Sequence, residues 1–247
     1  MSRRRHLLAA WGWTAVALAA ALPAEPAYAT LKIYSPSVEY HELELEWRAR
    51  YDTDARESMD GRQVHKLAVG YGVLPRLFLE AYAELERPVG DEFELEAVEM
   101  EARIQLAEPG QYWLDAGLHV EYEMPVEEGG TDELVFQVLL EKGQGRLLHR
   151  TNLRLERELE SGAQVGSGLA WGSRLRLGPS FEPGVEYHAR FGPLAGGTPF
   201  DSQAHLLGPV IYGRLGRVKY DLGYLFGLSD AAPDGMLKWI IEVEFHI

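Results

Sequence analysis

The chain has 247 residues, a formal net charge of −14 and no cysteine. That length suits one large all-β domain or two small ones, and the acidic balance excludes the basic footprint that nucleic-acid binding requires. An exported chain without cysteine must be held by packing or by closure of its sheet.

The first segment reads as an address. Arg3, Arg4 and Arg5 form a basic head, an Ala-dominated apolar run extends from Leu7 to Leu22, and Ala27 and Ala29 flank Tyr28. That order is the pattern of a secretory signal peptide, residues 1–29, with cleavage after Ala29 and Thr30 as the mature N-terminus. Its three Arg and one Glu leave with it, so the remaining domain, residues 30–247, carries −16. No later apolar run is long enough for a spanning helix.

Beyond the leader, apolar residues recur with period two, the mark of strands with one apolar face. The alternation predicts twelve strands, near 36–51, 62–74, 76–87, 92–106, 111–124, 132–142, 146–159, 163–177, 181–192, 204–215, 217–227 and 236–247. In the first, Leu43, Leu45, Trp47, Ala49 and Tyr51 alternate with Glu42, Glu44, Glu46, Arg48 and Arg50. In the fifth, Tyr112, Leu114, Ala116, Leu118, Val120 and Tyr122 share a face. The eighth sets Leu169, Trp171 and Leu175 against Gly166, Gly168, Gly172, Arg174 and Arg176. The last sets Leu237, Trp239, Ile241, Val243, Phe245 and Ile247 against Lys238, Glu242, Glu244 and His246, with Ile240 the one exception. These runs exceed the usual soluble strand and suit a tilted strand crossing a bilayer.

The connections alternate between longer polar loops (52–61, 124–131, 192–202, 228–235) and tight turns (Leu74-Pro75, 107–110, 142–145, 178–180, Gly216). Two expected long loops, at 88–91 and 161–162, are short. The asymmetry is that of bacterial outer-membrane barrels, and an even strand count puts both termini on the periplasmic, short-turn side. Aromatic residues near strand ends fit two interfacial belts, Tyr71, Tyr112, Phe181 and Phe245 on one side and Trp47, Tyr122, Phe191 and Phe226 on the other. The expected fold is therefore all-β, a single antiparallel transmembrane barrel of about 12 strands in the cell outer membrane, in contact with membrane lipid and lipopolysaccharide. A soluble β-sandwich or barrel shares the alternation and is the alternative.

The strand Trp239 to Ile247 resembles the C-terminal recognition strand of outer-membrane barrels, ending in Ile247 where Phe is usual. The resemblance implies delivery to the barrel-assembly machinery. The hairpin Val69 to Tyr82, with Gly70, Gly72 and Pro75, resembles one found in outer-membrane transporters related to the MetA pathway of phenol degradation. That likeness implies passive import of small organic solutes and brings no binding residues with it.

The inward parity carries both signs of charge. Glu80, Glu84 and Glu86 form an acidic row beside Glu99, Glu101 and Arg103. Arg174 and Arg176 lie across a tight turn from Glu182, Glu186, His188 and Arg190, within reach as cross-strand neighbours. Those groups line either a selective lumen or a closed, salt-bridged one. Twelve strands give a backbone radius of roughly 12 Å, half filled by side chains, which suits small solutes. Inward Gly70, Gly72, Gly166, Gly168 and Gly172 leave room on the wall or ease its curvature. The eight His and five Met lack metal-ligand spacing, and no cofactor motif occurs. His149 and Ser173 should face each other on the outer surface. An outer-membrane lipid hydrolase is thus the third reading, after a passive channel and a non-conducting barrel, although Asn152 lies on the wrong parity to assist the pair.

Overall fold

The computed structural model describes residues 31–247; the leader and Thr30 lie outside the described residues. Twelve strands make up the wall: β1 (Glu42–Thr53), β2 (Gln63–Leu74), β3 (Leu77–Arg87), β4 (Glu94–Gln105), β5 (Asp115–Pro125), β6 (Glu133–Gln144), β7 (Leu147–Glu158), β8 (Gly166–Leu175), β9 (Glu182–Pro193), β10 (Ala204–Leu215), β11 (Val218–Gly227) and β12 (Gly235–His246). Each pairs antiparallel with its sequence neighbours, and β12 closes on β1 with Glu42 opposite His246 and Thr53 opposite Gly235. Closure leaves no unpaired strand edge, which stabilises a sheet that has no disulfide to hold it.

The period-two pattern dictates two faces. Leu45, Leu67, Val69, Met100, Leu153, Ile211, Leu222 and Leu237 are exposed on the outside, while Glu44, Arg48, Lys66, Glu99, His119, Glu186 and Lys238 are buried inside. Polarity is thus inverted relative to a soluble barrel, whose apolar parity faces the core. No helix among the described residues is long and apolar enough to cross a membrane, which bears only on helices. Exposed aromatic residues cluster at the two ends. Tyr40, Tyr112, Trp113 and Phe181 stand at the short-turn end and Phe93, Phe200, Tyr224 and Phe226 at the long-loop end.

Two expectations are corrected. Tyr112 and Leu114 belong to the connection before β5, which begins at Asp115, so the turn there is longer than the sequence implied. Trp47 stands halfway along β1, against Trp239 and His65, and not at an interface.

The larger correction concerns the first strand. It begins at Glu42, not at 36. Pro36 lacks an N–H and disfavours a ladder position, and the chain between Leu31 and Glu39 runs inside the barrel. It leaves the interior through Tyr40 and His41, where His41 takes φ 64° to reverse the chain into β1. The wall is cut to admit it. A Cβ on Gly72 would stand 2.0 Å from the Glu39 carbonyl oxygen, and one on Gly117 would stand 2.9 Å from Pro36 Cα.

Candidate functional site

An extended segment inside a barrel has no strand to pair with, so its backbone must find side-chain partners. Asn152 on β7 supplies two. Its Oδ1 accepts from Tyr34 N at 2.7 Å and its Nδ2 donates to Tyr34 O at 3.1 Å. Gln105 Oε1 accepts from Val38 N at 2.8 Å, and Lys238 Nζ donates to Leu31 O at 2.8 Å. The inward parity that keeps Asn152 away from His149 is what lets it hold the segment.

The side chains of the segment complete the attachment. Lys32 Nζ pairs with Glu46 and Glu242 and lies 3.5 Å from Glu44, joining β1 to β12. Tyr34 stacks on His119 with ring centroids 4.2 Å apart and donates its hydroxyl to Glu101 at 2.9 Å. Ser35 Oγ donates to Glu141 at 3.2 Å. Leu31 packs instead into an apolar knot with Ala204, Leu206, Val210, Leu225, Ala232 and Met236.

Around the segment the charges form closed sets. Lys66 Nζ joins Glu84, at 2.7 Å, to Glu99. Arg48 donates to Glu46 and to Tyr82, which donates to Glu80 at 2.9 Å. Glu101 also holds His119 Nε2 at 2.9 Å, and Arg103 lies over the Phe78 ring. Across the lumen Glu186 gathers Lys238 (2.6 Å), His188 (2.9 Å) and Tyr212 (2.5 Å), while Arg190 and Arg154 share Glu156.

The residues expected on the inward parity face the interior, with Arg176 at the rim of the space that Arg174 and Glu182 also line. Arg176 lies just past β8, exposed, and donates to Gly145 O. Arg174 pairs with Glu182 at 3.2 Å as the turn implied, whereas Glu186 belongs to Lys238 and not to the arginines. The acidic row of β3 and β4 is not free, because Lys66 sits between two of its members. Lys66, Arg48 and Lys238 were visible on the inward parity. What they bind follows from register and from the inner segment, neither of which a single strand's pattern contains.

Two spaces remain. One of about 520 Å³ opens at the short-turn end, between the segment and the wall from β6 to β1. A second of about 70 Å³ beside Tyr34, lined in part by Lys66, Glu121 and Arg154, holds a few waters at most. On the outer face His149 and Ser173 stand opposite each other in register. Among the described residues no hydrogen bond joins them and no carboxylate orients the imidazole, as a Ser–His pair requires.

No family model matches the chain, and no curated protein matches it. Solved structures do. A protein from work on the in-meso crystallization of membrane proteins superposes with TM-score 0.50 at 10% identity, over 83% of this chain and 84% of that one. CdiB from Acinetobacter baumannii gives TM-score 0.41 at 10% identity, with 83% of this chain covering 48% of it. A triple mutant of the Rhodopseudomonas blastica porin gives 0.29 at 10% identity, over 82% and 99%. The first likeness shows the fold, a closed antiparallel barrel. The resemblance to the MetA-related transporters rests on the hairpin at residues 69–82 alone.

Proposed function

We propose that this protein is an outer-membrane barrel whose narrow solute pathway is held shut by its own N-terminal segment. The outward apolar wall supports the membrane location. Contiguous apolar surface on this scale does not occur on soluble monomers, and aromatic residues at both ends match the two headgroup levels. Lipid and lipopolysaccharide would surround the wall, and Trp239 to Ile247 would present the terminal strand to the assembly machinery.

One observation carries the gating: the backbone from Leu31 to Glu39 crosses the interior and is fastened to β1, β4, β7 and β12 by side-chain bonds. Those bonds are reversible, unlike a wall strand, so the segment can leave without opening the sheet. Passage of small organic solutes, which the Val69 to Tyr82 hairpin implies, then belongs to the released state. The test is planar-bilayer conductance of the mature chain beside a variant lacking residues 31–38. The intact barrel should be silent or open rarely, and the deletion should conduct in steady steps. Equal conductance in both would overturn the gate. Silence in both would favour a non-conducting barrel, the reading that the closed ion sets otherwise support.

A further inference from the structure

The space at the short-turn end falls within the volume range of small-molecule sites, and it is lined by charges of both signs. Arg150 on β7 and Arg174 on β8 line one side, beside Glu141 and Glu182; Glu42 and Glu44 on β1 and Glu242 on β12 line the other, beside Lys32 and Lys219. In a ring of twelve, β7 is diametrically opposite β1. Between the charged walls lie Ile33, Leu148, Tyr212 and Ile240. Ile240 interrupts the charged inward parity of β12 between Lys238 and Glu242, and it lines this space.

Each wall holds unused bonding capacity. Arg150 is bound through Nε to Glu141 at 2.5 Å, Arg174 Nε lies 3.2 Å from Glu182 with its guanidinium over the Tyr212 ring, and among the described residues no hydrogen bond reaches the Nη nitrogens of either. The two guanidinium groups are diagonal neighbours, since Arg174 stands opposite Leu148, two residues from Arg150. Opposite them, buried Glu42 keeps Oε2 without a hydrogen bond, and Arg103, also lining the space, keeps Nε without one. Buried polar atoms without partners are costly and uncommon.

We propose that this vestibule binds a small zwitterion whose carboxylate meets Arg150 and Arg174 and whose ammonium meets Glu42 and Glu44. Paired guanidinium groups suit a carboxylate because planar donors can engage both oxygens. The two ends of the ligand must be well separated. A lumen of roughly 24 Å, half filled by side chains, leaves about 12 Å between the walls. An extended chain spans about 3.3–3.6 Å per residue, so a free peptide of three or four residues fits where a single amino acid does not. The inference rests on the solute-pathway reading and names its substrate class.

Calorimetric titration of the mature barrel in detergent with trialanine, N-acetyl-trialanine and trialanine amide tests it. Trialanine should bind, and each blocked form should bind about ten-fold more weakly or worse, since each loses one charge-assisted contact. Arg150→Gln should weaken trialanine and the N-acetyl form, and Glu42→Gln should weaken trialanine and the amide. Glu42→Gln keeps the side-chain shape, so a folding defect does not confuse the result. Equal affinity for all three peptides, binding of the N-acetyl form alone, or no binding of any would overturn the proposal. Conductance is a separate readout. A barrel that binds trialanine but never conducts refutes the pathway alone, and one that conducts after deletion of 31–38 without binding refutes the ligand alone.

Discussion

The inner segment is held by two unlike regions. Toward the long-loop end, Leu31 sits among aliphatic side chains of β10, β11 and β12. One residue later, Lys32 enters a set of carboxylates, and Tyr34 lies between His119, Glu101 and Arg48. The apolar knot is non-directional, so loss of contact costs in proportion to area. The ionic middle has little net worth while intact, because desolvation offsets attraction, but it is costly to break by halves. The first region lets the segment settle; the second fixes where it stops.

That contrast can be broken from either side. The largest effect should come from Lys32→Met, which leaves Glu44, Glu46 and Glu242 facing one another without their shared cation. Removing one partner of a buried set costs about 3–5 kcal/mol, to be read from urea unfolding in micelles, with Lys32→Arg as the restoring control. A Lys32→Met protein as stable as the parent would mean that the segment is not seated. Next comes Ile241→Arg, halfway along the outer face of β12. A charge near the bilayer midplane should cost about 2–4 kcal/mol, whereas Glu182→Gln at the vestibule should change folding little. Equal tolerance of the two would remove the membrane reading. Leu31→Ala should cost ~2 kcal/mol, the low end for a core leucine because the site is at the end of the segment. Its signature is faster hydrogen exchange at Tyr34 N, with the wall amides unchanged.

The smallest effect concerns the long-loop end. Arg56 grips Asp54 through Nε at 2.7 Å and Nη2 at 2.6 Å, and donates to Asp230 O and Ala232 O, tying the β1–β2 connection to that between β11 and β12. Those bonds to Arg56 lower the Asp54 pKa to about 2, from an ordinary value of 3.8. A depressed carboxylate contributes stability above its unfolded pKa and loses it as pH falls through the folded one. The clasp should hold at neutral pH and release between about pH 4 and 2. Exchange of amides 228–234 checks this, and release already at pH 6 would assign the clasp to other groups.

The wall was legible because strands with one apolar face obey a single period-two rule, and the ten strands from β2 to β12 other than β5 lie within a few residues of their expected bounds. Parity placed Glu84, Glu99 and Glu186 inside for the same reason. The pairing of Glu99 with Lys66 was not legible, since those residues lie two strands apart and meet only once the sheet curves. Nor was the inner segment, whose residues carry no period. Its traces were Pro36 inside a supposed strand and Gly72 on the inward face, and each has an ordinary explanation in isolation. The structure also alters one test that the sequence invites. Replacing the acidic row of Glu80, Glu84, Glu99 and Glu101 by Gln would not simply empty the lumen of negative charge, because it takes from Lys66 both carboxylates it pairs with and from His119 its partner Glu101.

The central claim is that the segment from Leu31 to Glu39 closes the lumen, and a disulfide tests it most directly. The chain has no cysteine, so the background is clean. A Cβ built at Gly117 lies 3.0 Å from Pro36 Cβ, inside the roughly 3.5–4.5 Å of bridged cysteines, so the segment must draw back by about 0.5–1 Å for a bond to form there. The Pro36→Cys, Gly117→Cys double variant should oxidise in the folded barrel under an added oxidant once the segment takes up that shift. Its bilayer conductance should be absent while oxidised, at voltages where the reduced form shows openings. A variant that forms the bond and conducts equally in both states would contradict the account.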